Sequence, residues 1–464
     1  MTRVVLLFET LWMLAVFSAC ASLEDYVTKA APARSFIMAG DFASAASVFP
    51  DSEARGLNEV LVRMERGMIL HDMGRYRESF EELEKAARRI RHYEERAVIS
   101  ASATLAQAGS LVVNEQVSPY EGEDFEKIMI HALNAVNFLM EGDLQSARVE
   151  VRRAYARQEE LSSRHEKILD EARRDAGAGA WSESLGQADQ AAYDAMRRKA
   201  STVASAYHNT FASVVSALVY EMNGEPDEAY VDMKKAHEAY PGSTFIASEL
   251  IRLSAALGFR DEHERWKRMF PSLEAAGAPG VRVVVFFSHG LSPVKVPLNV
   301  PIPLREGFVF ASIPVYRFTP SLVQEVLVIA GDRIARTSTV LDVDAVASRN
   351  YLDSFPVLFA RQIARTALKA QALRSLSREH GAGGALVGTL FAGMTERADL
   401  RAWSTLPKEI QAGGIFVPEQ VRQVRIQTVP GGVETVLDIP WGARLVVALC
   451  RLTDAGLSVH ARSY

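Results

Sequence analysis

The sequence predicts an α+β protein, in which an N-terminal α-helical solenoid is followed by a β-rich C-terminal domain, sandwich-like and mixed α/β. The chain of 464 residues is too long for one ordinary core. Glycines recur at a fixed interval before residue 260, and strand-type alternation begins after residue 280. We therefore expect helical repeats over 20–273 and the β-rich domain over 281–464, with the glycine- and proline-containing segment 274–280 as a linker.

A 34-residue interval separates glycines that each follow a helix-forming run. Gly40 and Gly74 are 34 residues apart, Gly142 lies at twice that interval after Gly74, and Gly224 and Gly258 are again 34 apart. Glycine enters the left-handed turn at a helix end without steric cost. Paired helices with a 34-residue period are the tetratricopeptide signature, so the interval predicts TPR-like helical hairpins.

The hairpin around Gly224 shows the packing pattern most clearly. Ala217, Ala229 and Ala236 are small residues at positions where two helices would cross closely. Pro241 would end the second helix because proline cannot continue it. The spacing therefore predicts a packing role for these residues and no catalytic one.

The register is irregular between Gly142 and Gly224, which are 82 residues apart. We expect two long charged helices there, over 144–175 and 188–222. Residues 176–186, A-G-A-G-A-W-S-E-S-L-G, are expected to be the loop that joins them.

Several strands are expected in the C-terminal domain. Residues 281–288 are typical of a buried strand, whereas the prolines at alternate positions of 294–303 are typical of an edge strand or an extended segment. Further candidates are F-V-F-A-S-I-P and E-V-L-V-I-A. Two alternating runs within 421–439 flank P-G-G, which predicts a hairpin, and last strands follow at 443–451 and 457–462.

A helix is expected to interrupt this domain, capped by Ser354 and running to about Ser377. Arg361, Arg365 and Lys369 would share one of its faces. Such a face is more typical of a solvated basic surface than of an anion-binding patch.

The segment 381–394, G-A-G-G-A-L-V-G-T-L-F-A-G-M, is almost free of polar side chains. It is too short to span a bilayer as a helix. We expect a buried helix, and the alternative is a hairpin that dips into a membrane surface.

Residues 1–19 have the layout of a secretory signal peptide. Arg3 precedes an apolar run, and F-S-A-C places small residues before Cys20, which resembles a bacterial lipobox. The resemblance implies cleavage before Cys20 and acyl chains that anchor the mature protein to a membrane. Ala21 favours the periplasmic face of the outer membrane. The alternatives are an uncleaved helical anchor or a misassigned start.

Composition and motifs argue against several function classes. The net charge of −5 argues against a general nucleic-acid binder. The chain lacks G-x-S-x-G, H-E-x-x-H, a Walker loop and Cys/His metal spacing, so we expect no catalytic residues, no metal and no cofactor. Ser288 and His289 would point to opposite faces of a strand. Asp342 with Asp344 is a common surface pair, and Cys450 is expected in the core.

One constellation in the C-terminal domain is more distinctive. If A-D-L-R-A-W is extended, Asp399, Arg401 and Trp403 lie on one face. Arg401 would then bridge Asp399 and lie on the Trp403 ring. We favour a structural clasp, and the alternative is a partner-binding corner, since tryptophan and arginine are enriched in binding hot spots.

Three stretches within residues 120–430 carry a family resemblance. They are L-N-A-V-N-F-L-M-E-G-D-L-Q-S-A-R-V-E-V-R-R-A, F-A-S-V-V-S-A-L-V-Y-E-M-N-G-E-P-D-E-A-Y-V-D-M-K-K-A and A-D-L-R-A-W-S-T-L-P-K-E-I-Q. They resemble a family of poorly characterised bacterial TPR-containing lipoproteins. Its members often accompany lipoproteins similar to penicillin-binding-protein activators, which implies a role in the cell envelope and supplies no catalytic residues.

Together these features predict a non-enzymatic, lipid-anchored periplasmic scaffold that binds envelope proteins, with peptidoglycan synthesis or envelope assembly as the setting. One alternative is a cell-wall or lipid hydrolase, whose site would include Ser288 or His289. Another is a subunit of an envelope secretion or motility complex, in which 381–394 touches the membrane.

Overall fold

The computed structural model confirms an α+β protein with helical hairpins before the strands. The residues that it describes are 26–101, 118–174, 187–273, 280–304, 307–321, 323–355, 358 and 398–464. The helices are α1 (Tyr26–Met38), α2 (Phe42–Ser47), α3 (Glu59–Asp72), α4 (Tyr76–Ala101), α5 (Asp124–Glu141), α6 (Leu144–Arg174), α7 (Gln187–Ala200), α8 (Thr210–Met222), α9 (Pro226–Ala239), α10 (Thr244–Ala256), α11 (Arg260–Met269) and α12 (343–355). The strands are β1 (Val281–His289), β2 (Val294–Leu304), β3 (Gly307–Arg317), β4 (Glu325–Ala330), β5 (Arg333–Arg336), β6 (Ser338–Asp342), β7 (Glu409–Val417), β8 (Gln423–Val429), β9 (Glu434–Asp438), β10 (Leu445–Thr453) and β11 (Gly456–Ser463).

The glycines of the 34-residue interval form the turns between paired helices, as predicted. After α5, the N–H of Gly142 donates to Leu139 O and that of Asp143 to Phe138 O, both at 2.9 Å. These bonds satisfy carbonyls that the helix end leaves unpaired. The φ angles of the turn glycines lie in the left-handed region: Gly40 78°, Gly74 72°, Gly142 83°, Gly224 80° and Gly258 73°.

The small residues of the α8–α9 hairpin lie where the prediction placed them. Ala217, Ala229 and Ala236 are all buried. Helix α9 ends at Ala239, two residues before Pro241. Because these side chains are small, the two helix backbones approach closely.

The prediction of one helix over 188–222 is wrong. Helix α7 ends at Ala200 and α8 begins at Thr210, with turns and bends between them. Asn209 is the physical reason, because its side-chain oxygen accepts from Ala212 N–H at 2.9 Å and caps α8. The predicted long helix over 144–175 is observed as α6, and the loop at 176–186 lies outside the described residues.

A five-stranded sheet connects the helices to the remaining strands. Its order is β11-β10-β1-β7-β6, with β1 parallel to β10 and antiparallel to β7. Alternate residues of β1 enter two different cores. Val284 and Phe286 pack with the helices, whereas Val283, Val285 and Phe287 pack with the sheet β5-β4-β8-β9. The core on the helical side of this sheet therefore contains side chains of both the helices and the β-rich region.

Most of the strand predictions are confirmed. Strand β1 covers 281–288, β2 pairs with β3 in a two-stranded sheet, β8 and β9 form the predicted hairpin, and β10 and β11 end the chain. Strand β7 was missed because its centre contains Gly413 and Gly414, which weaken a strand signal. A Cβ atom on Gly414 would lie 3.3 Å from the Phe245 ring, so helix α10 packs where this glycine leaves room.

The helix predicted to start at Ser354 begins earlier. Residues 343–355 are already helical, and Asp342 caps them by accepting from Ala345 N–H at 3.0 Å. The other predicted features of this region lie outside the described residues: Arg361, Arg365, Lys369, the helix end near Ser377 and the segment 381–394.

The β10–β11 hairpin lies along the glycine turns of three helical hairpins. Each turn comes so close to the hairpin that a side chain would collide with it. The distances are those from a Cβ atom placed on the glycine: Gly40 to Ala455 Cβ 2.8 Å, Gly74 to His460 Cε1 2.8 Å and Gly142 to Arg462 Nη2 2.5 Å.

We expect Gly40→Ala to destabilise the protein more than Gly224→Ala. Both glycines have φ near 80°, where an alanine costs about 1 to 2 kcal/mol. At Gly40 the methyl group would also meet the rigid Cβ of Ala455. A methyl group on Gly224 would have no atom of the described residues within 4 Å, apart from those of its two chain neighbours. The free energy of unfolding, measured in urea, should fall by at least about 1 kcal/mol more in Gly40→Ala. Equal losses would contradict the contact.

Candidate protein-binding groove

A groove of about 500 Å³ lies between α6, α8 and α9. Its floor is apolar and consists of the buried side chains of Val151, Ala154 and Ala212. Two tyrosines line its walls, Tyr220 at the end of α8 and Tyr155 on α6. Tyr155 is 47% exposed. Concave sites of this volume, with an apolar floor and a few polar groups, are the usual form of binding sites in proteins.

Polar contacts fix the helices on either side of this groove. Arg148 of α6 forms an ion pair with Glu225 in the α8–α9 turn. The Asn209 N–H, just before α8, donates to Gln158 Oε1 of α6 at 2.7 Å. Because α6 is tied to both ends of α8, the groove is pre-formed and does not depend on a ligand for its shape.

The rim of the groove carries more carboxylates than cations. Asp232 of α9 accepts from Ser216 Oγ at 2.5 Å and from Lys235 Nζ at 3.2 Å. Lys235 Nζ also lies 4.3 Å from the centre of the Tyr155 ring, a cation–π contact. The other charged side chains that line the groove are Arg152, Glu159, Glu228 and Glu238.

None of these groove residues was identified from the sequence as part of a binding site, and Tyr220 was expected only to pack between paired helices. Val151, Ala154, Tyr155 and Gln158 stand at i, i+3, i+4 and i+7 on α6, which is the spacing of one helix face. The signal that could have identified the groove was Tyr155, an aromatic residue on this face of a helix that is otherwise rich in charge.

The predicted constellation lies at the junction of helices and β-rich region, apart from the groove. Arg401 Nη2 pairs with Asp399 Oδ2 at 2.6 Å, as predicted. Its guanidinium lies 5.4 Å from the ring centre of Tyr120, so the prediction that it lies on Trp403 is wrong. Residues 398–403 belong to no helix or strand, and Trp403 is only 1% exposed. Their role as clasp or partner-binding corner stays a prediction.

Two buried glutamates on the helices bind the backbone beside this constellation. Glu65 of α3 accepts from the N–H groups of Ser404 and Thr405, both at 2.9 Å, and Glu126 of α5 accepts from Trp403 N–H at 2.7 Å. Burial raises the pKa of both carboxyl groups, that of Glu126 to about 7. These bonds join two helical hairpins to one loop.

Ser288 and His289 point to opposite faces of β1, as predicted. Ser288 Oγ donates to a backbone carbonyl of β10 at 3.3 Å. His289 Nε2 lies 3.3 Å from Glu409 Oε2, and His289 Nδ1 lies 3.5 Å from Ser321 Oγ. The Ser321 hydroxyl instead donates to Val323 O at 2.9 Å. This geometry does not activate a nucleophile, because a base must lie within about 3.2 Å of it.

The other candidate chemical groups are paired or buried. Asp342 pairs with Lys199 at 2.7 Å, and Asp344 forms an ion pair with Lys408. Cys450 is buried, which raises the pKa of its thiol.

The residues that the structure describes contain no group of three or more His, Cys, Asp or Glu side chains placed to hold a metal ion. They also contain no helix with the length and apolar character needed to cross a membrane. Cys20 lies outside them.

Comparison with known structures shows distant structural similarity. No protein-family model matches the chain, and no curated protein matches it. Two crystal structures of MamA are similar at 14% identity and a TM-score of 0.29, over 51% and 55% of this chain and 90% and 97% of theirs. A complex of the TPR2AB domain of yeast Sti1 with pHSP90 is similar at 12% identity and a TM-score of 0.21, over 53% of this chain and 92% of that one. Similarity at these scores carries no functional inference.

We expect Glu126 to make stability depend on pH. Its pKa of about 7 in the folded protein exceeds the ordinary value of 4.5, so the folded state holds an extra proton between these pH values. The free energy of unfolding should therefore fall as pH rises from about 5 to 8, by roughly 3 kcal/mol from this group. Urea unfolding across this range, for the native chain and Glu126→Gln, isolates the effect.

The free energy of unfolding of the native chain minus that of Glu126→Gln should fall as the pH rises, because glutamine does not titrate. Glu264→Gln, at an exposed position of α11, is the control and should leave the pH profile unchanged. A difference independent of pH for Glu126→Gln would contradict the assignment.

Proposed function

We propose that this protein is a lipid-anchored scaffold of the periplasm that binds protein partners in the groove between α6, α8 and α9, and that it is not an enzyme. One observation supports this most directly. A pre-formed concave site of about 500 Å³, with an apolar floor and exposed Tyr155, lies between helical hairpins. In our proposal the hairpins form a TPR-like solenoid, an architecture whose concave surfaces bind other proteins.

The β-rich region would orient this solenoid and would not itself bind the partner. Its β10–β11 hairpin contacts the turns of three helical hairpins, and its loop 403–405 is bound by Glu65 and Glu126. We propose that Asp399 and Arg401 belong to this junction as a structural clasp. A groove held in this way offers a partner a rigid surface, which lowers the entropy cost of binding.

The cellular setting rests on the sequence. The lipobox-like F-S-A-C supports removal of residues 1–19 and acylation of Cys20, which would place the protein on the periplasmic face of the outer membrane. The family resemblance supports peptidoglycan synthesis or envelope assembly, with lipoproteins similar to penicillin-binding-protein activators as candidate partners. The hydrolase alternative lacks an activated nucleophile at His289, and the secretion-complex alternative depends on 381–394, outside the described residues.

Site-specific crosslinking in living cells tests the scaffold. A photoreactive phenylalanine analogue in place of Tyr155 should crosslink to an envelope protein. The same analogue in place of Val231, which is exposed on α9 but does not line the groove, should not. Equal crosslinking at both positions, or none at Tyr155, would contradict the proposed binding site.

Fractionation tests the anchor separately. The native chain should sediment with the outer membrane, and Cys20→Ser should lose that association because no acyl chain can be attached to serine in this position. Membrane association of Cys20→Ser equal to that of the native chain would remove the lipid anchor from the proposal. Crosslinking from the Tyr155 position would remain informative in either case.

A further inference from the structure

We infer that the groove binds a positively charged peptide segment of its partner, with lysine or arginine side chains on the rim and an apolar side chain on the floor. This inference rests on the proposed function, since it names the chemical class of the ligand for the same groove. It is carried by the charges of the rim and by which of them are already paired.

Unpaired carboxylates dominate the rim. Glu159, Glu228 and Glu238 are exposed, and none of them forms an ion pair with another of the residues that the structure describes. The carboxylate of Asp232, by contrast, is already bound by Ser216 and Lys235. Three carboxylates are therefore available to a ligand without first breaking a contact within the protein.

The cations of the groove do not balance these carboxylates. Lys235 is held between Asp232 and the face of Tyr155. Arg152 is the other lysine or arginine among the lining residues, and it is exposed. Four carboxylates therefore face two cations, which gives the groove a net charge of −2 when His208 is neutral. Such a site attracts a cationic ligand and repels an acidic peptide or a nucleic-acid phosphate.

The floor determines the second feature of the ligand. Val151, Ala154 and Ala212 present only aliphatic surface, and the walls add the rings of Tyr155 and Tyr220. An apolar or aromatic side chain inserted here would remove this surface from water, which is the favourable contribution that anchors a ligand. The groove thus fits a peptide in which basic residues flank an apolar one.

Selection from a random twelve-residue peptide library tests this inference on the purified chain. Peptides retained by the native chain and released by Tyr155→Ala should be enriched in lysine and arginine and depleted of aspartate and glutamate. An enriched peptide should bind at least fivefold more weakly to Glu228→Gln/Glu238→Gln. Its affinity should also fall as salt is raised, because exposed charges are screened over about 10 Å at 0.1 M.

The control is Asp261→Asn/Glu264→Gln, which removes two exposed carboxylates from α11, outside the groove. It should retain native affinity and support selection of the same peptides. Equal weakening by both double variants would show a general charge effect and would overturn the inference. Circular dichroism confirms that each variant is folded.

The outcomes separate this inference from the proposed function. Enrichment of acidic or uncharged peptides that still depend on Tyr155 would overturn the charge assignment and leave the groove as the binding site. If no peptide distinguished the native chain from Tyr155→Ala, the inference would fall. The proposed function would fall with it only if the photoreactive analogue in place of Tyr155 also captured no envelope protein in cells.

Discussion

The arrangement of helices on sheet depends on two buried carboxylates that bind one loop of the β-rich region. Glu65 and Glu126 come from different helical hairpins, yet together they accept the N–H groups of Trp403, Ser404 and Thr405. A buried donor without a partner costs about 1 to 3 kcal/mol, and displacing this loop would separate three such donors from the carboxylates that accept from them. The interaction therefore fixes the register between two parts of the chain almost 280 residues apart, as in the contact from Glu126 to Trp403.

The sheet in turn sets the geometry of the groove. Helix α8 lies between the sheet and the groove. The Phe211 ring is edge-on against the Phe286 ring of β1, with 5.7 Å between ring centres, and Ala212 lies on the floor of the groove. A second buried connection reinforces this position, because Arg282 of β1 pairs with Glu221 at the end of α8 at 2.7 Å and with Glu249 of α10 at 2.6 Å. A ligand in the groove thus meets a wall supported by the core of the whole protein.

Local rules predicted the helical hairpins, and non-local contacts decided what was missed. Gly142 and the alanines around Gly224 act within one hairpin, so their spacing alone identified the turns and crossings. Strand β7 was not predicted because Gly414 weakens the strand pattern. The reason for this glycine is the helix that packs against it, which the local sequence does not reveal. The ring that Arg401 contacts is Tyr120, 281 positions earlier in the chain. The spacing of residues near Arg401 cannot predict such a distant partner. The groove was missed for the same reason, since its walls come from three helices.

Burial and pairing separate glutamates that look alike in the sequence. Glu65 and Glu228 are both helical, yet Glu65 is fully buried with its oxygens hydrogen-bonded, whereas Glu228 is exposed and in contact with no cation of the described residues. A buried, satisfied carboxylate contributes to structure, because its loss leaves donors unpaired. An exposed carboxylate at the edge of an apolar groove contributes little to stability, so its charge can select a ligand. Exposed carboxylates of this kind lie mainly on α9, so this helix carries the negative charge that is available for recognition.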